Sequence, residues 1–404
     1  MWKTLDYYWK SRVFIVDKIT LNSSVNNFQI LCYNYGIGKI RRVKVIYPQL
    51  DINLSTIKNN TEVIVNMCRK HYIKISGVIK GFNGLPKVAE KILEGGVMNL
   101  ASSRIDQLQK MKEKNREIET LLLRIPMMSE IEELVKYCDI SLNSNKETLE
   151  KINEMSKKTK NTHRVILMRD LGDLREGVFK RDEFIKLCRY TEDLENIYLE
   201  GIGTNLSCYG SIAPTRENMM ELSETAEKVE KEIGRKLNIV SGGGTTTLPL
   251  VYRGEIPKKI NHLRVGEGII NAMDLPKYWD TDIEELKTDT FICKAQVVES
   301  NIKPTHPIGK MCVDAFGNKP VYEDKGNRKR VILALGNQDT GDSKKLEPVD
   351  KRMKIMGSSS DHTIVDVHDV DKEIKVGDVL EFKLFYQAML FLTGSRYVKI
   401  NYID

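Results

Sequence analysis

The chain has no Cys-x-x-Cys pair, no apolar run near the ~18 residues that a membrane span needs, and no stripe of basic charge. Each absence removes a class of protein. The seven cysteines, Cys32, Cys68, Cys138, Cys188, Cys208, Cys293 and Cys312, stand far apart in an odd total. They read as free thiols in a reducing compartment, not as a disulfide framework. His71, His163, His262, His306 and His368 lack the spacing of a zinc site, so no metal is expected and these five read as surface or hydrogen-bonded core residues. The opening Met1-Trp2-Lys3-Thr4-Leu5-Asp6-Tyr7-Tyr8 has no continuous apolar segment of a secretion signal, and the expectation is a cytoplasmic protein that meets no membrane. Lys plus Arg is 63 against 56 Asp plus Glu, a net charge of +7, with bases and acids interleaved. That is a solvated surface, and nucleic acid is not an expected partner.

What is present is 404 residues, 41% hydrophobic and 29% charged, a soluble globular composition too long for one small core. Residues 1–45, rich in Tyr, Asn and Lys, read as an N-terminal extension to which the sequence assigns no role; the basic run 38–44 is a bland extension or a partner arm. From residue 46 the pattern becomes regular. A strand over 46–54 is followed by a helix with Ser55 as N-cap and apolar positions at Ile57, Ile64 and Cys68. Strands at 72–80, 97–101, 120–125, 138–142, 164–169, 196–201, 237–240 and 262–264 then alternate with helices in units of ~30 residues, the length of a βα repeat. The expected fold is α/β, an N-terminal (β/α)8 TIM-like barrel over 46–281 with its site at the C-terminal ends of the strands. After about residue 282 the helical rhythm stops, and strands at 291–299, 330–335, 363–367, 379–385 and 397–402 make 282–404 a C-terminal all-β domain.

Several strand ends carry chemistry. In Ser76-Gly77-Val78-Ile79-Lys80-Gly81-Phe82-Asn83-Gly84 a buried strand runs into a lysine, whose amine, if desolvated, can condense with an aldehyde; most strand-end lysines are instead solvated. Ser241-Gly242-Gly243-Gly244-Thr245-Thr246-Thr247 opens a helix after a strand, either as a phosphate cradle of N–H groups and hydroxyls or as a flexible glycine turn. Arg264, in Arg264-Val265-Gly266-Glu267-Gly268, closes the next strand near the same mouth, or is an ordinary ion-pair partner. Arg175, in the loop 170–177, can clamp a carboxylate or pair with neighbouring acids. Asn205 ends another strand with polar groups. A lysine, a phosphate cradle, an inward arginine and a carboxylate clamp together match the needs of pyridoxal 5'-phosphate.

This order of domains and motifs resembles the fold-type III pyridoxal-phosphate enzymes of the alanine racemase group. The similarity is greater to the ornithine racemase branch, in Tyr47-Pro48-Gln49-Leu50-Asp51-Ile52-Asn53-Leu54, Ala101-Ser102-Ser103-Arg104-Ile105, Ile140-Ser141-Leu142-Asn143-Ser144, Met168-Arg169-Asp170-Leu171-Gly172-Asp173-Leu174-Arg175-Glu176-Gly177, Asp314-Ala315-Phe316-Gly317-Asn318 and Ala334-Leu335-Gly336-Asn337-Gln338-Asp339. It covers residue 46 to the end.

The resemblance implies a homodimeric amino-acid racemase with shared active sites, interconverting L- and D-ornithine. It makes Lys80 the Schiff-base lysine and one of two catalytic bases, sets Arg175 at the substrate carboxylate and Arg264 at the pyridine nitrogen, and gives the phosphate to Ser241, Gly242, Gly243, Gly244 and Thr245 with Gly266 and Tyr386, with Asn205 in the same cofactor set. Two elements depart from the family. Asn337 falls where alanine racemases have a tyrosine base, and Met168 where they have a carbamylated lysine. The segment 356–366 looks like the loop that relatives send into the neighbouring site, which makes Ser360 the first candidate for the opposite-face base, with His362 and Cys312 behind it, and Asp361 a partner for a distal ammonium. Otherwise 360–362 is a loop of turn residues, and Cys312 a small buried thiol. Rival readings are a racemase for lysine, alanine or serine, a D-amino-acid aldolase, and a non-enzymatic pyridoxal-phosphate-homeostasis protein. The missing His/Cys metal pair speaks against the aldolase, and the ~120-residue second domain, the size of a domain in its own right, against the last.

Overall fold

The protein is described here from a computed structural model, which describes residues 46–404 and, of the first 45, the backbone of four short strands, Lys3–Leu5, Ile19–Leu21, Leu31–Cys32 and Arg41–Arg42, in one antiparallel sheet. The basic run at 38–44 lies outside the described residues except for the last of these strands.

Eight parallel strands close into a barrel in chain order: Lys74–Val78, Asn99–Ser102, Thr120–Leu122, Ile140–Asn143, His163–Met168, Ile197–Gly203, Ile239–Ser241 and His262–Val265, the last pairing with the first. Residues on alternate faces of these strands divide the core in two. Ile75, Leu100, Val165, Leu199 and Leu263 pack outward against the helices. Val78, Ala101, Leu121, Ile140, Leu142, Ile166, Met168 and Ile239 form a separate cluster inside the barrel. Met168 is fully buried there, so that position is apolar packing. The barrel closes tightly where Gly201 faces Ile239: a Cβ on Gly201 would lie 1.9 Å from the Ile239 carbonyl oxygen.

The helices follow the apolar periodicity. Helix Leu54–Arg69 buries Leu54, Ile57, Ile64 and Cys68 on one stripe. Its N-cap is Asn53, whose side chain accepts from the Thr56 N–H, and not Ser55, which sits one residue inside the helix. Helix Arg216–Ile233 starts with a Thr215/Asn218 capping box and ends on Gly234 at φ 77°, a left-handed C-cap that costs glycine nothing.

The second domain is built on a sheet ordered Leu346–Pro348, Val379–Leu384, Phe291–Pro304, Asn327–Leu333, Thr363–Asp366, Lys354–Ser358. Strand Gln49–Asn53 belongs to this sheet, not to the barrel: it runs antiparallel to 291–294 and parallel to Lys399–Ile403. Lys294 forms an ion pair with Asp51 at 2.7 Å across that seam. From residue 46 onward the chain therefore passes through the second domain's sheet before entering the barrel. A helix, Tyr386–Leu392, stands among these strands and packs on the turn Lys80–Phe82.

Candidate active site

At the C-terminal ends of the barrel strands lies a cavity of about 720 Å³, lined among others by Lys80, Arg175, Asn205, Gly244, Thr245, Arg264, Gly266 and Tyr386. Strand ends from around the barrel and one helix of the second domain thus meet at one place.

Lys80 is the first residue of a short 3₁₀ turn that leaves the first barrel strand. Burial lowers its pKa below the ordinary lysine value; the neighbouring Arg175 and Arg264 lower it further, against Cys208 and Glu176. Among the described residues its amine has no hydrogen-bond partner. The turn is fixed from the second domain: Asn83, in the left-handed region at φ 52°, donates its Nδ2 to the Leu390 carbonyl and the Thr393 hydroxyl, both at 2.9 Å. A Cβ on Gly81 would lie 3.0 Å from Tyr386 Cε2, so glycine lets that ring approach. Burial raises the Tyr386 phenol to about 12, which keeps it a neutral hydroxyl.

Arg264 is buried, and burial lowers it to about 10, still charged at neutral pH. Its Nη1 donates to Ser241 Oγ and its Nη2 to the Thr204 carbonyl at 2.7 Å. Arg175 pairs with Glu176, with 2.7 Å between Nη2 and Oε1, so in this state the neighbouring acid holds the guanidinium at the cavity wall. Its loop is tied down by Asp173, a buried carboxylate that accepts N–H groups of Ser207 (3.0 Å), Tyr209 (3.0 Å) and Gly210 (3.1 Å). The two loops that carry Arg175 and Asn205 are thereby locked together.

The Ser241–Thr245 segment divides. Gly244 and Thr245 face the cavity, and the N–H groups of Gly244, Thr245 and Gly266 have no partner among the described residues. Ser241, Gly242 and Gly243 lie behind it; Ser241 is fully buried and bonded to Arg264 and His262. Thr204 Oγ1 and Asn205 Nδ2, both buried, also lack partners. Unpaired donors around a cavity holding a desolvated lysine are what an anionic aldehyde cofactor would satisfy.

Ser360, Asp361 and His362 do not line this cavity. They are exposed, and their turn packs by backbone bonds on Asn337 and Gln338. Asn337 Oδ1 accepts from Ser358 Oγ at 2.6 Å and from the Ser343 N–H at 3.0 Å, a structural anchor. Cys312 is exposed, against the expected buried thiol, because its stretch lies outside the strands of the sheet. His163 and His262 are hydrogen-bonded core residues, as expected. Among the described residues no group of three or more His, Cys, Asp or Glu could hold a metal, and no helix is long and apolar enough to cross a membrane.

The sequence reading had not singled out Arg124, Cys208, Glu267, Asp274 and Trp279 as cavity residues. Glu267 stood in a quoted motif, but nothing in the motif signals that burial, and then Asp274, raises its carboxyl to about 8.

Residues 52–273 match the family described as alanine racemase, N-terminal domain. The chain belongs to this family. An ornithine racemase of Acetoanaerobium sticklandii is 41% identical over 354 residues, 88% of this chain and 99% of that protein. A lysine racemase of Thermotoga maritima is 41% identical over 360 residues, 89% and 99%. Among solved structures, the alanine racemase of a D-cycloserine-producing Streptomyces lavendulae superposes with a TM-score of 0.69 at 12% identity, covering 89% of this chain and 98% of that one. The D-threonine aldolase of Filomicrobium marinum superposes at 0.65 with 13% identity, covering 86% and 89%. These structures share the two-domain fold of the alanine racemase family.

Proposed function

We propose that this chain is a pyridoxal-phosphate-dependent amino-acid racemase, acting on ornithine. The observation that carries the reading is a desolvated Lys80, without a partner among the described residues, lining a cavity together with two arginines and free N–H groups. Two relatives that cover nearly the whole chain at equal identity are named racemases of diamino acids, which makes lysine the second substrate to test.

Lys80 would hold the cofactor's aldehyde carbon; Gly244, Thr245, Gly266 and Tyr386 would hold its phosphate, Arg264 its ring nitrogen and Asn205 the ring's edge. The bound cofactor supplies an electron sink that acidifies the substrate Cα–H. The protein does the rest. Arg175, released from Glu176, binds the substrate carboxylate through its planar fork. Lys80, its pKa lowered by burial, is free to take and return a proton on one face of Cα. Arg264 presents only N–H donors, so it supports a ring nitrogen without protonating it, which favours return of the proton to Cα over side reactions. In a homodimer, Ser360 of a second copy acts on the opposite face, with His362 and Cys312 as substitutes, and Asp361 receives the distal ammonium.

Incubation of the pyridoxal-loaded protein with single L-amino acids in D₂O, following Cα deuteration and the D-enantiomer together, tests the reading. Ornithine becoming racemic and deuterated, with alanine and serine inert, supports it. Cofactor binding without exchange on any amino acid overturns it.

A further inference from the structure

We propose that His262 is a positioning residue for Arg264, within a one-way chain of hydrogen bonds from the cavity's guanidinium to the half-buried carboxylate of Glu119, just ahead of the third barrel strand. The functional side of this inference rests on the reading that Arg264 meets the cofactor ring.

The direction of the chain follows from donor counting. Glu119, ion-paired with Arg164 at 2.5 Å, accepts from Asn99 Nδ2 at 2.8 Å. A carboxylate only accepts, so the Asn99 amide is fixed with Oδ1 toward Ser76 Oγ, 2.5 Å away. Ser76 spends its single proton on that oxygen and turns a lone pair to His262 Nε2 at 2.8 Å. Nε2 therefore carries the hydrogen. His262 is buried, and burial followed by the Arg264 charge lowers its pKa to about 3, so the ring is neutral and Nδ1 is bare. Ser241 donates its hydroxyl to Nδ1 at 2.8 Å and offers its oxygen to Arg264 Nη1. With Nη2 on the Thr204 carbonyl, the guanidinium plane is set at two points, and Nε and the remaining hydrogens are left as donors.

Every bond dipole in this chain points from the cation to the anion, which holds a charge in place where burial alone opposes it. The track also crosses an interior otherwise filled by Val78, Ala101, Leu121, Ile140 and Ile166. Burying Ser76, Asn99, Ser241 and His262 there brings no hydrophobic gain and is tolerated only because each is satisfied. Apolar residues would fill the same space. A complete polar track ending on a cavity arginine therefore points to control of that arginine.

The test uses the full chain labelled with ¹⁵N-histidine, first without cofactor. His262 is expected to show the neutral Nε2–H pattern throughout pH 5–8. Ser76→Ala deletes the acceptor of that hydrogen, three hydrogen bonds from the guanidinium, and should shift His262 toward the Nδ1–H form. In the loaded enzyme it should lower kcat for racemisation by about fivefold to tenfold, one net hydrogen bond, with KM for the amino acid unchanged. Ser76→Thr should restore both readouts. A charged or Nδ1–H His262 in the unaltered protein overturns the inference. So does a Ser76→Ala protein that keeps the Nε2–H pattern, or equal losses in Ala and Thr. Because the nitrogen pattern is read without substrate, a protein that shows it and racemises nothing overturns the proposed function alone.

Discussion

His163 gives the fold a specific acid sensitivity that can be separated from everything else that titrates. It is buried, with Nε2 2.9 Å from Ser141 Oγ, and burial lowers its pKa from 6.5 to about 4. The sign follows from proton counting. Below the unfolded pKa of about 6.5 the unfolded chain binds a proton at this residue that the folded chain refuses, so stability falls with pH until the folded pKa is reached. Above pH 7 the residue contributes no slope. At pH 5 the loss is about 2 kcal/mol, and it levels off at about 3 kcal/mol below pH 4. His262, lowered to about 3, behaves the same way. Glu267 opposes both: its carboxyl, raised to about 8, adds stability as pH falls from 8 toward its ordinary range. The stability curve of the whole protein therefore mixes signs. The difference between the unaltered chain and His163→Gln isolates one term, because glutamine keeps a donor toward Ser141 and does not titrate. Urea unfolding of both at pH 8, 7, 6 and 5 should give a constant difference at the upper two values. By pH 5 the unaltered chain should lose about 2 kcal/mol relative to the variant. Parallel curves across the range would refute the claim that His163 is held neutral by burial.

Three further outcomes follow from the site. Lys80→Ala should abolish the absorbance of a pyridoxal–lysine adduct and all Cα exchange; retained exchange would remove Lys80 from its role. Ser360→Ala should keep Cα exchange on one face and lose racemisation, and unchanged racemisation would sink that assignment. Asp173→Ala leaves three N–H groups without their acceptor, at about 1–3 kcal/mol each where they stay dry. It should open the loop 204–215 to limited proteolysis and raise KM more than it lowers kcat; protease resistance equal to the parent would show that the loops are held by something else.

The barrel was legible because its signals are local. Alternating apolar runs, a capping box at Thr215 and the terminating Gly234 mark elements within a few residues of themselves. Strand Gln49–Asn53 is legible as a strand and is not one of the eight expected barrel strands, but the expected domain bounds place it with the barrel, since an apolar five-residue run does not say which edge it joins. Its partners, 291–294 and Lys399–Ile403, lie some hundreds of residues on. The helix Tyr386–Leu392 was missed because Tyr-Gln-Ala-Met-Leu-Phe-Leu carries no capping signal and continues an apolar strand. At the site, Lys80, Arg175 and Arg264 were legible as charged residues at strand ends. Cys208 was not: it sits among small turn residues beyond the sixth strand, and the Asp173 latch that holds that turn at the cavity is a contact made across 34 to 36 residues. Ser241 was read as a phosphate ligand because its glycine context suits one. A register in which Ser241 pairs with His262 turns it inward instead.

The same geometry explains why the second domain belongs to the chemistry. Lys80 loses its water partly because Tyr386 lies against Gly81 and because Asn83 ties the turn to helix Tyr386–Leu392. A barrel alone would leave that turn open to solvent on this side, and a hydrated lysine regains its ordinary pKa. The strand order makes such separation costly, since Gln49–Asn53 enters the second sheet before the barrel begins and Lys399–Ile403 pairs with it after the barrel is complete. The barrel is thus flanked in the sequence, before and after, by strands of one sheet. The contact between domains is set by backbone pairing and not by a flexible linker, so the desolvation of Lys80 is built into the topology.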